Sequence, residues 1–180
     1  MPICQEIRSL NIGENMRKLI VLRGNSGSGK TTIAKELQNR FGANTMLISQ
    51  DVIRRDMLKA KDGENTLALP LMKELLMYGN SHSDIVILEG IMCAKWYKSL
   101  FELAIQLYGT EIYAYYFDLP FEETLKRHQT KPNCHEFGEE AMRDWWLEKD
   151  FSDVLNEISI TAEKDIESIV DDICNTVLQE

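Results

Sequence analysis

Apolar residues along the chain fall into two alternating kinds of run. Short, nearly continuous apolar stretches occupy 18–23, 45–49 ("TMLIS"), 84–89 ("DIVILE"), 111–118 ("EIYAYYFD") and 157–160. Runs of that length and continuity predict strands buried on both faces. Between them the apolar positions recur at helical spacing, as in Ile33, Leu37 and Phe41, or in Ile166, Ile169, Val170, Ile173 and Val177. Strands alternating with amphipathic helices predict an α/β fold, a parallel sheet covered on both sides. Asp51 and Pro120 stand just after strands, where helices begin. Helices are expected at 51–60 and 66–80, with core leucines such as Leu69, Leu71, Leu75 and Leu76. Residues 130–140, "TKPNCHEFGEE", are the least patterned and read as a loop.

With 180 residues and no internal repeat or Gly/Ser linker, one domain is expected, spanning 16–180. Residues 1–15, ahead of Met16, read as an N-terminal extension, either upstream of an alternative start or capping the domain. Four scattered cysteines without a C-x-x-C pair suit a reduced, cytoplasmic chain. No apolar run reaches membrane-spanning length. A net charge of -9 argues against a nucleic-acid-coating surface, because such binding neutralises phosphates with Lys and Arg.

The chemistry enters with "VLRGNSGSGKTTIAKEL". Gly24, Gly29, Lys30 and Thr31 complete the pattern G-x-x-x-x-G-K-[ST], between an apolar strand and an amphipathic helix as the motif requires. Residues Gly24, Asn25, Ser26, Gly27, Ser28, Gly29, Lys30, Thr31 and Thr32 are therefore expected to cradle a nucleoside triphosphate, ATP. Backbone amides and the helix N-terminus face the phosphates, Lys30 bridges the β- and γ-phosphates, and Thr31 offers its hydroxyl to Mg²⁺. The chain carries neither N-K-x-D nor L-S-G-G-Q, which sets aside GTPases and transporter ATPases and leaves a compact transferase.

Two acids follow at strand ends. Asp51, in "ISQDVIRRDM", sits where a carboxylate can take the proton of an attacking hydroxyl; the bland alternative is a helix N-cap. Arg54 and Arg55, in the next turn, are substrate-side candidates beside solvated surface charge. Glu89, closing "DIVILEG", has the form of an acid that holds Mg²⁺ or organises the substrate side, while Asp84 belongs to the opposite sheet edge. A lid is expected at about 126–145, with Arg127 and Arg143 neutralising the moving phosphoryl group; for Arg143 the alternative is a surface pair with Glu139. His128, Cys134 and His135 lack a fourth ligand for zinc. Of the adjacent Trp145 and Trp146, at least one is expected in the core.

"GNSGSGKTT", "ISQD" and "LEGI", in this order, resemble the P-loop kinases of small molecules. "ISQD" and "EGI" are similar to uridine kinase, which implies that Asp51 accepts a nucleoside hydroxyl proton. The stretch "FDLPFEETLKRH…FGEEAMRDWW" resembles zeta-toxin-like and polynucleotide-kinase-like enzymes, implying lid arginines on the ATP phosphates. The resemblance further implies the three-layer P-loop NTPase fold, a five-stranded parallel sheet in the order 2-3-1-4-5. The expected activity is an ATP- and Mg²⁺-dependent kinase acting on a hydroxyl of a small molecule, a nucleoside first. Alternatives are a nucleotide-sugar or antibiotic kinase, a polynucleotide 5′-hydroxyl kinase, and a regulatory ATPase.

Overall fold

A computed structural model describes residues 17–130 and 138–179. The proposed extension 1–15, part of the expected loop and lid, and Cys134 and His135 lie outside the described residues. The elements run β1 (Lys18–Gly24), α1 (Lys30–Phe41), β2 (Thr45–Ser49), a π-helical turn (Val52–Met57), α2 (Ala68–His82) and β3 (Ile85–Gly90). They continue with α3 (Lys98–Tyr108), β4 (Ile112–Phe117), α4 (Phe121–Gln129), α5 (Glu139–Asp144), β5 (Glu157–Ile160) and α6 (Ile166–Gln179).

All four strand pairings are parallel, giving one five-stranded sheet in the order β2-β3-β1-β4-β5. Strand periodicity splits β1 between two cores. Ile20 and Leu22 face α1 and α6, with Ile33, Leu37, Val170 and Ile173. Leu19 and Val21 face α2 and α3, with Met72, Leu76, Leu100 and Phe101. A side chain such as Phe101, fully withdrawn from water, contributes about 1.5–3 kcal/mol. The three-layer arrangement and its strand order are those expected from the sequence. Among the described residues, no helix is long and apolar enough to cross a membrane.

The segment after β2 departs from expectation. The winding there stops at Met57, and over Val52–Met57 it is a π-helix: the Leu58 amide donates to the Ile53 carbonyl five residues back. Just beyond it, Lys59 turns to a φ of 49°. Residues 58–67 then run as a loop into α2. The wide turn sets Arg54 and Arg55 on the same side as Asp51, with which both pair.

Helix α4 is oriented by charge as well as by its buried Phe121, Thr124 and His128. Glu122 and Glu123 stand in its first turn and Lys126 and Arg127 in its last, each sign facing the complementary end of the helix dipole.

Candidate functional site

The site lies at the C-terminal edge of the sheet, between the ends of β1, β2 and β3. The loop leaving β1 turns tightly, with Gly24, Gly27 and Gly29 at φ of 139°, 81° and 98°. Gly27 has no alternative: a Cβ there would meet the Thr124 carbonyl oxygen at 2.5 Å. The loop is thus packed against α4 and cannot accept a side chain at that point.

Lys30 opens α1 and is almost fully buried. Its ammonium donates to the Asn25 carbonyl at 2.7 Å and the Ser28 hydroxyl at 3.0 Å, so it lies folded into the loop. The first-turn amides of α1 have no preceding helical carbonyls to meet, and they open towards the same concavity. Thr31 donates to Glu89 Oε2 at 3.2 Å, and Ser49 at the end of β2 donates to Glu89 Oε1 at 2.5 Å. Glu89 is 2% exposed, its burial balanced by these two hydroxyls.

The resulting cleft is lined by the loop from Ser26 to Thr32 together with Asp51, Glu89, Gly90 and Ile91. An ammonium, the loop backbone and a helix N-terminus form a donor set that fits a polyphosphate. Beside it, the Thr31 hydroxyl and Glu89 carboxylate offer the oxygen-only ligation suited to Mg²⁺.

The sequence-predicted residues are distributed unevenly around this cleft. Asp51 lines it, with its carboxylate held by Arg54 Nη2 at 2.8 Å and Arg55 Nε at 3.4 Å. The N-cap alternative for Asp51 finds no support, since its side chain makes no capping hydrogen bond. Arg127 reaches the phosphate loop: Nη1 donates to the Ser28 carbonyl at 3.2 Å, while Nε pairs with Glu123 at 2.7 Å. That contact holds the Glu123 carboxyl below its ordinary range. Arg143 is placed differently. Its guanidinium pairs with Glu139 at 2.7 Å, one turn away, and lies 4.2 Å over the Phe121 ring. The surface pair weighed for it is therefore formed.

One residue of the loop takes part by its backbone alone, and one expectation needs correction. Asn25 turns its side chain away from the cleft, donating to the Leu147 carbonyl at 2.7 Å and accepting from the Leu147 amide at 2.9 Å. It anchors the segment after α5 to the phosphate loop, and only its backbone takes part in the loop itself. Neither Trp145 nor Trp146 enters the core. Trp145 is exposed, and Trp146 is half-buried with its edge against Phe121 at 5.2 Å between centroids. The helix α5 is too short and too peripheral to carry either ring inward.

Other participants escaped the sequence. Arg23, immediately before the loop, is fully buried and paired with Asp150 at 2.9 Å and Glu157 at 2.7 Å. Its visible signal is one charge inside an apolar strand. Ser49 and Gln50, inside "ISQD", also carry contacts at the site, and their position next to Asp51 was the available cue.

The same architecture occurs in solved structures of low sequence identity. A gluconokinase from Sinorhizobium meliloti superposes with a TM-score of 0.60 at 12% identity, over 91% of this chain and 93% of that one. Shikimate kinase from Acinetobacter baumannii, in complex with shikimate, gives 0.61 at 18% identity over 92% and 95%. The APS kinase of Mycobacterium tuberculosis, in complex with AMPPNP and APS, gives 0.64 at 14% over 92% and 99%. No curated protein matches the sequence. The family model described as "AAA domain" matches residues 19–147, more than half of the chain, which therefore belongs to that AAA domain family.

Proposed function

We propose that this protein is an ATP- and Mg²⁺-dependent kinase that transfers the γ-phosphoryl group to a hydroxyl of a small molecule, with a nucleoside first in line. The observation that carries this reading is the meeting of Asp51 and Glu89, from neighbouring strand ends, in the cleft lined by Lys30 and Thr31. A donor site alone would need only the loop and the cation acid. A second carboxylate in the same cleft, not used by the loop, supplies the acceptor side. The architecture shared with a gluconokinase, a shikimate kinase and an APS kinase agrees with it.

In this reading the loop amides of 26–32 and the Lys30 ammonium bind the triphosphate, Lys30 exchanging its loop contacts for phosphate oxygens. Thr31 and Glu89 hold Mg²⁺, which when bound neutralises charge on the β- and γ-phosphates. Asp51 orients the acceptor hydroxyl and takes its proton, while Arg54 and Arg55 hold that carboxylate in place and face the substrate. Arg127, already on the loop at Ser28, is the nearer lid cation for the transferring group. Arg143 joins it when the lid closes, by leaving Glu139.

The test is ADP release from ATP and Mg²⁺ across a panel of nucleosides, nucleotide sugars, sugar acids, antibiotics and 5′-hydroxyl oligonucleotides. Acceptor-stimulated turnover supports the kinase, and the responding class names the acceptor. Steady hydrolysis that no compound stimulates favours a regulatory ATPase.

A further inference from the structure

The loop 58–67 lies between the π-helical turn and α2, and its Asp62 is exposed at the surface. Even so, the Asp62 carboxylate receives two hydrogen bonds from the protein interior. Gln50 Nε2 donates to Oδ2 at 3.1 Å and the Tyr97 hydroxyl donates to Oδ1 at 2.8 Å. Gln50 is 1% exposed and Tyr97 wholly buried. The same Gln50 amide donates to the Tyr97 hydroxyl at 2.7 Å, and its Oε1 accepts from the Met92 amide at 3.2 Å. Gln50 thus spans the ends of β2 and β3, directly behind the backbone that presents Asp51 on one side and Gly90 and Ile91 on the other. Gly90 makes room for it: a Cβ there would stand 2.5 Å from Gln50 Oε1.

Gln50 and Tyr97 are buried donors, and leaving them unpaired is costly. Asp62 is the acceptor on which both converge. Burial and the adjacent Asp62 charge push the Tyr97 phenol above its ordinary range, which keeps it a neutral donor. Hydrogen bonds to an ionised carboxylate are the stronger kind. The loop is therefore closed onto the sheet edge by its one carboxylate at this point, and the residue it grips is the chain neighbour of Asp51.

We propose that Asp62 is a positioning residue for the acceptor side of the site: it latches the 58–67 loop onto Gln50 and Tyr97 and, through Gln50, fixes the backbone that presents Asp51. The inference rests on the kinase reading for its kinetic consequence, but the latch itself does not. Asp62→Ala removes the acceptor, and Asp62→Asn keeps its size with a weaker one. Amide hydrogen exchange on the protein alone reads the latch. Exchange at Met92 and across 58–67 quickens about tenfold or more in Asp62→Ala, and less in Asp62→Asn. With the best acceptor from the panel, Asp62→Ala raises the acceptor KM and lowers kcat, leaves the KM for ATP unchanged, and Asp62→Asn recovers part of both. Unchanged exchange at Met92 overturns the latch. Equal losses for ATP and acceptor, following the loss in thermal stability, overturn the positioning role. If wild-type protein transfers phosphate to no acceptor, the kinase reading fails, and exchange alone still decides whether Asp62 holds the loop.

Discussion

The Thr31 hydroxyl and the Glu89 carboxylate are joined by a 3.2 Å hydrogen bond that links the first turn of α1 to the end of β3. Because the hydroxyl proton goes to Glu89, the lone pairs of the Thr31 oxygen remain available to a cation in the cleft. Replacing either residue by Thr31→Ala or Glu89→Gln is expected to weaken Mg²⁺-dependent ATP binding about 10–100-fold. Calorimetric titration with ATP in the presence of Mg²⁺, repeated in a chelator, isolates the effect. Equal losses with and without Mg²⁺ show that the pair shapes the loop rather than binding the cation.

In the proposed reaction, Asp51 separates the donor from the acceptor half of the chemistry. Asp51→Asn preserves the shape of the side chain but removes its basicity and weakens its pairing with Arg54 and Arg55. The expected result is unaltered ATP affinity with a kcat for transfer reduced about 10²–10⁴-fold. Single-turnover transfer to the acceptor returned by the panel reads this directly. Transfer at the wild-type rate removes Asp51 from the role of base.

Four tyrosines give the fold an alkaline limit. Burial raises the phenols of Tyr97, Tyr108, Tyr115 and Tyr116 above their ordinary value, assisted at Tyr97 by the charge of Asp62. A raised folded-state pKa means the native state holds its protons longer than the unfolded chain. The stabilisation is complete below the unfolded value, about 10, and is lost as pH rises from there through the folded values. Urea unfolding at pH 8, 9.5, 10.5 and 11 is expected to give a midpoint that holds across the first two and falls across the last two. A midpoint flat to pH 11 contradicts the burial assigned to these hydroxyls.

How much of this was legible beforehand follows the range of each signal. The phosphate loop is local, complete within residues 24–31 and flanked by a strand and a helix, so the motif alone pointed to the candidate cleft. The inner strands β1, β3 and β4 showed as apolar runs because both their faces are buried, and the edges of all five shifted by no more than a residue. What stayed hidden depends on distant partners. Arg23 meets Glu157 and Asp150 across 134 and 127 positions, and Asn25 meets Leu147 across 122. Periodicity carries no information about such pairings. The π-helical turn was hidden for another reason: pairs at i,i+3 and i,i+4, such as Asp51 with Arg54 and Arg55, suit an ordinary α-helix, so nothing in "VIRRDM" marks the wider winding. For Arg143 the surface pair at helical spacing was visible, and the structure forms it.

The Arg23 cluster supports the phosphate loop from beneath. Arg23 precedes Gly24 in β1, its guanidinium 5.0 Å from the Phe101 ring centroid and 5.7 Å from that of Tyr116. Nε and Nη2 donate to the Met92 carbonyl at 3.0 and 2.8 Å, Nη1 to Glu157, and Nη2 also to Asp150. The Glu157 side chain is 1% exposed and that of Asp150 is 19% exposed, so water can replace Asp150 far more easily than Glu157. Removing one partner of a buried pair leaves an uncompensated charge, and Glu157→Ala is expected to cost about 3–5 kcal/mol in urea unfolding. Asp150→Ala should cost less, because water reaches the guanidinium from that side. Since Glu157 also accepts the Ser152 amide at 2.7 Å, Glu157→Gln should recover part of the loss by keeping an acceptor there. If Glu157→Ala costs no more than Asp150→Ala, burial does not govern the strength of this cluster.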